Sequence, residues 1–178
     1  MTDGQSEYRG QVRCGWCQAT IREGVEPTLP VSHGICPACL ARLKGEMSGE
    51  EVTTFLDELP VPVLTVDDSG RIRSANVAAE RMLGKPRVEL ESLLGGEVMQ
   101  CAFAALPGGC GQTEHCVACI VRRTVMATHE TREPQDHVPA FLMHPDGQGG
   151  TVRRNYVVST WYVDGRVLLR LDAAGDGS

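Results

Sequence analysis

The pattern of apolar and polar residues becomes regular after residue 48. Ser48 and Glu51 form the Ser-x-x-Glu pattern of a capped helix N-terminus. The apolar side chains that follow recur at helical spacing: Val52, Phe55, Leu56 and Leu59. Pro60 and Pro62 cannot continue a helix. The pattern therefore predicts an amphipathic helix that begins near residue 48 and ends before Pro60.

Two short strand-like runs follow this helix. They are Val63–Val66 and Arg71–Ala75, and the residues between them read Asp-Asp-Ser-Gly, which is typical of a β-hairpin turn. Asn76 is suited to cap a short helix that Gly84 would end in the left-handed conformation. The sequence thus predicts a hairpin and then a short helix.

A longer helix and three strands complete the regular part of the chain. The helix is predicted from near Thr113 to about His129. The predicted strands are Val138–Met143, Thr151–Tyr162 and Arg166–Leu171, with glycine-containing turns between them. Two strands, then helices, then three strands is an α+β order, so we expect an antiparallel sheet with helices packed on it.

Residues 12–45 differ from the rest of the chain. This segment has little hydrophobic periodicity and contains four cysteines, so apolar burial alone would not hold it folded. We expect residues 1–11 to be a disordered N-terminus and residues 12–45 to be a small module held together by metal. Residues 48–172 would form the main domain, followed by a tail at 173–178.

The eight cysteines fall into two groups of four. The first group is a double Cys-x-x-Cys arrangement and consists of Cys14, Cys17, Cys36 and Cys39. The second group has the spacing C-x8-C-x5-C-x2-C and consists of Cys101, Cys110, Cys116 and Cys119. Each group supplies the four ligands that one tetrahedral metal ion or one iron–sulfur cluster needs.

What these thiols do depends on the compartment. The sequence opens on polar residues without the apolar segment of a secretory leader, and its richest apolar run, Pro60–Val66, is too short to cross a membrane. We therefore expect a cytoplasmic protein whose cysteines bind metal or take part in redox chemistry rather than form disulfides. Seventeen basic and twenty-three acidic side chains give a net charge of −6, which argues against a nucleic-acid or membrane partner.

Structural zinc is the prediction for the first group, because two Cys-x-x-Cys turns can wrap one ion in an all-thiolate tetrahedron. His33 lies near enough in sequence to replace one thiolate. A thioredoxin-like role for the stretch CGWC is disfavoured, because no βαβ pattern surrounds it.

The second group suits an iron–sulfur cluster as well as zinc. Cys116 and Cys119 are predicted three residues apart at the start of one helix, whose positive end favours thiolates. Glycines around Cys110 permit backbone N–H groups to approach sulfur. We favour a redox-responsive or oxygen-responsive cluster, because a domain with its own core does not need a second structural metal. Zinc and a reversible dithiol switch are the alternatives.

Polar residues near the second group are further candidates. His115 is a candidate substitute ligand, and Arg122 and Arg123 are candidate partners for the negative charge of a cluster unless they belong to a solvated helix face. The remaining histidines are scattered along the chain, which predicts surface positions for His129, His137 and His144.

The order of elements headed by PVPVLTVDDSGRIRSANVAAERMLG resembles the PAS sensory domain, from about Ser48 to Asp172. The resemblance implies a five-stranded antiparallel sheet with helices on one face and a small pocket between them. It also implies frequent dimerisation through the leading helix.

Each cysteine group carries a resemblance of its own. GGEVMQCAFAALPGGCGQTEHCVACIVRRTV resembles a cysteine-bearing PAS variant of bacterial sensor kinases, which implies that the second group binds a metal or an iron–sulfur cluster. CGWC followed by VSHGICPACLARL resembles a zinc-ribbon-like element fused to bacterial signalling proteins. No kinase segment or DNA-reading module is recognisable, so we expect a sensor or adaptor without an attached output.

These observations predict a bacterial PAS-type sensor or adaptor. It would report redox or oxygen state from the second cysteine group to a separate protein such as a kinase or regulator. We expect a homodimer and no enzyme activity, because no nucleophile–base pair or phosphate loop is visible. One alternative is a PAS binding module with two structural zinc sites and a small-molecule pocket, and another is a thiol-redox protein.

Overall fold

The computed structural model describes most of the chain. The described residues are 9–15, 17–26, 28–29, 31–45 and 49–174. The predictions for residues 1–8 and 175–178, and the predicted helix cap at Ser48, lie outside them. No helix within these ranges is both long and apolar enough to cross a bilayer.

A small sheet and a helix make up the N-terminal segment. Its three short strands are β1 Val12–Cys14, β2 Thr20–Arg22 and β3 Ser32–Gly34, and they lie in the order β2-β1-β3. β1 runs antiparallel to β2 and parallel to β3. The helix α1, Pro37–Gly45, follows directly. We refer to residues 12–45 as the N-terminal module.

A second sheet of five strands forms the centre of the remaining chain. Its strands are β4 Val63–Val66, β5 Ile72–Ala75, β6 Gln135–Pro145, β7 Thr151–Val163 and β8 Arg166–Ala173. Their order is β5-β4-β8-β7-β6, and every neighbouring pair is antiparallel. The predicted hairpin, the three later strands and the α+β class with an antiparallel sheet are confirmed.

A 3-10 helix, Ala102–Ala105, and six α-helices accompany this sheet in the described residues: α2 Gly49–Asp57, α3 Val77–Leu83, α4 Arg87–Leu90, α5 Gly95–Val98, α6 Glu114–Val117 and α7 Ile120–Thr131. The longer helix predicted from Thr113 is interrupted. α6 ends before Ala118, and Cys119 has the extended backbone of a helix N-cap, with ψ 109°. Cys116 and Cys119 therefore lie on two successive helices rather than on one turn of a single helix.

Alternate residues of the strands face opposite sides of the large sheet. The inner face packs against α3 to α7 and forms the larger apolar core, which includes Leu64, Ile72, Leu90, Val98, Val158 and Leu171. Each of these six side chains is fully buried. The central strand β8 contributes to this core and, through Leu168, to the opposite face.

The outer face of the large sheet carries a second apolar cluster. Trp161, Val163 and Leu168 pack there against Phe55 and Leu56 of α2 and against Leu59, which follows the helix. This burial bears on the predicted dimer surface, because Phe55, Leu56 and Leu59 are at most 5% exposed within one chain and Val52 is half-buried against the same cluster. These side chains are therefore not a free partner surface in this conformation, and the homodimer itself stays a prediction.

Asn76 joins three elements at the edge of the inner core. As predicted, its side chain caps α3, accepting a hydrogen bond from Ala79 N at 2.9 Å. The same oxygen accepts from Val63 N at 3.0 Å, and the amide nitrogen donates to the carbonyl oxygens of Leu56 and Val61 at 2.8 Å each. One buried side chain thereby satisfies backbone groups of α2, β4 and α3.

Candidate metal and ligand sites

The sulfurs of the first cysteine group converge on one point. The Sγ atoms of Cys14, Cys17, Cys36 and Cys39 all lie within 4.8 Å of one another. The two sulfurs of Cys17 and Cys36 are 3.6 Å apart. Four sulfurs bound at about 2.3 Å around one tetrahedral ion would be separated by about 3.8 Å. The donor set and its spacing therefore fit a single tetrahedral metal ion.

Two tight turns bring these sulfurs together. After Cys14 the chain reverses through Gln18, whose φ of 58° is left-handed and whose N–H donates to the Cys14 carbonyl at 3.0 Å. Gly15 N donates to Gly34 O at 2.9 Å, which holds this turn beside the end of β3. Cys36 follows two residues later and precedes α1.

Backbone N–H groups point at the sulfurs of this group. Cys36 N donates to Cys14 Sγ at 3.4 Å, and Cys39 N donates to Cys36 Sγ at 3.5 Å. Such hydrogen bonds stabilise thiolates that ligate a metal. The His33 side chain, the predicted substitute ligand, lies outside the described residues.

Burial and crowding oppose ionisation of this group in the absence of a cation. Cys14 is fully buried and Cys39 is nearly so. Burial raises the pKa of the Cys39 thiol well above its ordinary value, and the neighbouring thiols raise it further. A bound cation reverses this effect because it attracts all four thiolates at once.

The second cysteine group is arranged differently. All four of its cysteines line one cavity of about 510 Å³ between the inner face of the large sheet and the segment from α5 to α7. The apolar lining includes Leu64, Ile72, Met99, Phe103, Ile120 and Leu169. Among the residues that the structure describes, no three sulfurs of this group approach to within 4.8 Å of one another.

α5 supports two of these cysteines. Gly96 N donates to Cys110 Sγ at 3.2 Å, and Cys101 N donates to Gly96 O at 2.8 Å. A Cβ atom on residue 96 would lie only 2.7 Å from the Cys110 sulfur, so this approach requires glycine. The sequence analysis predicts no role for Gly96. The only sequence signal of such a role is the Gly95-Gly96 pair ahead of Cys101.

The surroundings of Cys116 favour its ionised form, in contrast to those of Cys110 and Cys119. Burial raises the pKa of Cys116, but hydrogen bonds from the Thr113 hydroxyl and Gly111 N, together with the charge of Arg122, lower it below the ordinary value. The Thr113 oxygen lies 3.2 Å and the Gly111 nitrogen 3.1 Å from the sulfur. The loop around Cys116 therefore favours a thiolate.

Burial has the opposite outcome at Cys110 and Cys119. It raises the pKa of both thiols, and the charges of neighbouring cysteines raise it further. Cys110 is affected by the charges of Cys116 and Cys119, and Cys119 by that of Cys101, so the four thiols act on one another electrostatically. An apolar cavity that holds a mutually repelling set of thiols is suited to bind a group carrying positive metal ions.

Arg122 and Arg123 differ in their surroundings. The Arg122 guanidinium packs against two glycines, because a Cβ on Gly111 would lie 2.9 Å and a Cβ on Gly70 3.3 Å from its Nη1 atom. Arg122 lines the cavity, and its charge lowers the pKa of Cys110 and Cys116 against the effect of burial. Arg123 is exposed. Of the two predicted charge partners, Arg122 is the one near the cysteines.

The histidines fall into two kinds. His115, the predicted substitute ligand, lines the cavity and stacks on Phe103, with ring centroids 3.8 Å apart. The surface prediction is wrong for His137 and His144, which are 2% and 7% exposed. His144 Nε2 lies 2.9 Å from the hydroxyl of Tyr156, and His137 Nδ1 lies 2.6 Å from Asp136. Scattered positions in the sequence gave no signal of these partners.

Comparisons with known proteins address the large sheet and its helices. Residues 50–94 match the PAS fold family. This segment runs from α2 to the residue before α5 and contains neither cysteine group. No curated protein matches the chain.

Solved structures resemble the chain at low sequence identity. A LOV protein from Rhodobacter sphaeroides is 12% identical with a TM-score of 0.50, and the likeness covers 72% of this chain and 68% of that one. The PAS domain of nitrogen regulation protein NR(II) from Vibrio parahaemolyticus is 13% identical with a TM-score of 0.44, covering 72% and 100%. A PAS domain from Colwellia psychrerythraea is 13% identical with a TM-score of 0.48, covering 72% and 98%.

The family match and the likeness to the Rhodobacter protein agree with the sheet order described above. Both comparisons concern the fold, and neither says what the cysteines bind. The predicted cysteine-bearing subtype and zinc-ribbon element are not addressed by either comparison. Residues 50–94 thus match the PAS fold family, and the large sheet with its helices forms a PAS-like domain with one four-cysteine group in its cavity, while the other group lies in the N-terminal module.

Proposed function

We propose that this protein is a bacterial PAS-type sensor or adaptor in which the cysteines of the cavity hold an iron–sulfur cluster and report redox or oxygen state to a separate protein, such as a kinase or regulator. The observation that carries the proposal is that Cys101, Cys110, Cys116 and Cys119 line one cavity of the PAS domain. Zinc at the first cysteine group has a structural role in this proposal.

The cavity group differs from the first group in a way that favours a cluster over one ion. Its sulfurs are more widely spaced than the set that fits a tetrahedral ion, as judged over the described residues. A cluster of several irons is larger than one ion and is bound by four thiolates. The N–H groups of Gly96 and Gly111 donate to two of these sulfurs, as expected for cluster ligands.

The chain offers a route from the cavity to the sheet. Cys119 is the N-cap of α7, and α7 packs on the sheet through Val121 and Val125. Near the other end of α7, the hydroxyl oxygens of Thr128 and Thr160 lie 2.7 Å apart, both fully buried. A shift of the Cys119 sulfur would therefore displace α7 against β7 rather than be absorbed by a loop.

A cluster held by these thiolates would supply one-electron redox chemistry with an external oxidant such as dioxygen. Arg122 lines the same cavity, and the attraction of its guanidinium for the thiolates would depend on the negative charge held there. Arg122 belongs to α7, so a change in that charge would act on the same helix.

Metal analysis of anaerobically purified protein tests the proposal. We expect iron and acid-labile sulfide, a visible absorption that is lost in air, and about one zinc per chain. The Cys116→Ser variant should lose iron and sulfide but keep zinc, whereas Cys39→Ser should lose zinc but keep iron. Colourless protein with two zinc ions per chain, unchanged by air, would replace the sensor proposal with two structural zinc sites.

The cavity also supports a second candidate function, which is the binding of a small organic ligand. Its volume of about 510 Å³ and its mainly apolar lining suit a small organic ligand. Native mass spectrometry of the wild-type protein distinguishes the two candidates. An added mass that organic solvent extracts intact and that contains no iron supports the organic ligand, whereas an added mass of iron and sulfide supports the cluster.

A further inference from the structure

The outer face of the large sheet is covered in part by the N-terminal module. Ile35 and Leu40 of the module pack against the apolar cluster that contains Trp161 and Leu168. Trp161 is 6% and Leu168 is 2% exposed. An open antiparallel sheet would present these large side chains to water, so their burial depends on what packs over them.

The two contacting side chains sit beside cysteines of the first group. Ile35 immediately precedes Cys36, and Leu40 immediately follows Cys39. These two cysteines contribute two of the four converging sulfurs. Whatever holds the sulfurs together also fixes the backbone that directs Ile35 and Leu40 onto the sheet.

An electrostatic interaction between the module and the large sheet accompanies the apolar contact. Burial alone would raise the pKa of the Asp136 carboxyl, but hydrogen bonding and charge from His137, a hydrogen bond from Ser159 and the charge of Arg22 lower it below its ordinary value. Asp136 belongs to β6 of the PAS domain and Arg22 to β2 of the module. The module therefore places a positive charge beside the edge strand of the large sheet.

The module has few buried apolar side chains that could hold Ile35 and Leu40 in place. The described residues of the module that are buried and apolar are only Val12, Cys14 and Cys39. So small a core does not stabilise an independent fold, whereas a structural metal supplies on the order of 10 kcal/mol to small modules. The packing of Ile35 and Leu40 on the sheet thus depends on the first cysteine group.

We propose that the N-terminal module is an intramolecular cap on the outer face of the PAS sheet, and that metal at the first cysteine group determines whether the cap is closed. This inference rests on the proposed binding of metal at that group. Loss of the metal would expose an apolar surface that includes Trp161 and Leu168, on the side of the sheet opposite the cysteine-lined cavity.

Quenching of Trp161 fluorescence tests the cap. The chain has two tryptophans, so Trp16→Phe leaves Trp161 as the only one. In this background, Leu40→Asp and, separately, Cys39→Ser should increase the acrylamide quenching constant of Trp161 several-fold, because the indole becomes accessible. Val25→Asp is the matched control within the module, since Val25 is 77% exposed and should leave quenching unchanged.

Zinc content, measured on every variant, separates the possible failures. With zinc present in the parent protein, Trp161 that stays protected in both Leu40→Asp and Cys39→Ser overturns the cap. A parent protein without metal at the first group overturns the proposed metal site and the metal dependence of the cap together. Far-ultraviolet circular dichroism shows whether the PAS sheet remains folded, and Leu40→Asp keeps the test valid if Cys39→Ser does not fold.

Discussion

The two cysteine groups lie on opposite sides of the large sheet and differ in their spacing and in the core that surrounds them. In the N-terminal module four sulfurs lie within 4.8 Å of one another, and the surrounding chain has almost no core of its own. In the PAS-like domain four cysteines line a cavity of about 510 Å³ inside a domain with a large core. A set of four cysteines can therefore be placed either to hold a small segment together or to line a cavity that the fold already forms.

The strongest test of this contrast is the loss of one cysteine from each group. Cys39→Ser should unfold the N-terminal module while the PAS-like domain stays folded, because structural zinc contributes on the order of 10 kcal/mol to such modules. Limited proteolysis with mass spectrometry should show rapid cleavage within residues 12–45. Cys119→Ser is the control and should leave the module resistant. Equal resistance of Cys39→Ser and the wild type would contradict the metal-held module.

Adjacent glycines in α5 sharpen the description of the cavity site. Gly96→Ala would bring a Cβ to 2.7 Å from the Cys110 sulfur, whereas a Cβ on Gly95 meets no atom within 4 Å. We expect Gly96→Ala to lower the free energy of unfolding by about 1–3 kcal/mol and to reduce the metal content of the cavity. Gly95→Ala should be neutral or slightly stabilising.

Thermal unfolding and iron analysis measure both effects. Equal behaviour of the two alanine variants would mean that Cys110 moves freely, and that the fold does not preform this site.

Adjacent arginines in α7 test the electrostatics of the cavity. Burial raises the pKa of Cys116, and Arg122 is among the groups that more than offset this. Arg122→Gln should therefore raise the pKa of Cys116 and slow its alkylation by iodoacetamide at neutral pH by about twofold in metal-free protein. Arg123→Gln should alkylate like the wild type, because Arg123 is exposed. Equal slowing in both variants would indicate a general effect of net charge.

The smallest expected effect concerns the cap. The pKa of Asp136 is lowered mainly by His137 and Ser159 of the large sheet and to a smaller extent by the charge of Arg22 in the module. The Arg22 part of this effect stabilises the closed cap above the ordinary pKa of 3.8 and is lost as pH falls through the folded value. Quenching of Trp161 should thus rise on acidification below about pH 4. Asp136→Asn should show raised quenching already at neutral pH and a weaker dependence on acid.

Asp146→Asn is the matched control for that pH dependence. The pKa of Asp146 is also lowered, by the N–H groups of Gln148 and Gly150 in the β6–β7 turn. This substitution should leave Trp161 quenching unchanged at every pH. A change as large as that of Asp136→Asn would show that acid loosens the sheet as a whole.

The sequence predicted the elements well where local signals were strong. The hairpin before Asn76 and the three later strands follow from alternation and turn residues, and the Asn76 cap follows from residue chemistry. The break before Cys119 was missed, because apolar spacing through residues 113–129 is compatible with one continuous helix. The surface prediction is wrong for His137 and His144 because pairing of β6 with β7 buries both: Tyr156 of β7 lies against His144, and Ser159 of β7 accepts a hydrogen bond from His137 N.

Prediction from the sequence is limited in the same way for the two cysteine groups. Double Cys-x-x-Cys spacing predicts convergence of the first group, because each turn is local. For the second group, spacing alone does not reveal that the sulfurs surround a cavity, since their positions depend on α5, the helix break and the sheet together. The covering of the outer face by Ile35 and Leu40 is a contact between segments for which the sequence carried no signal.

The strand order also determines when the parts of this protein are able to form during synthesis. β4 pairs with β8, so Val63 meets Arg170 only after more than half of the chain has been made between them. Until then the β4–β5 hairpin lacks its central neighbour, and pairing of such distant segments is slow. The N-terminal module has its cysteines complete by residue 39 and needs only local closure. A metal-held cap of the kind proposed above would therefore be able to form during synthesis before the surface that it covers exists.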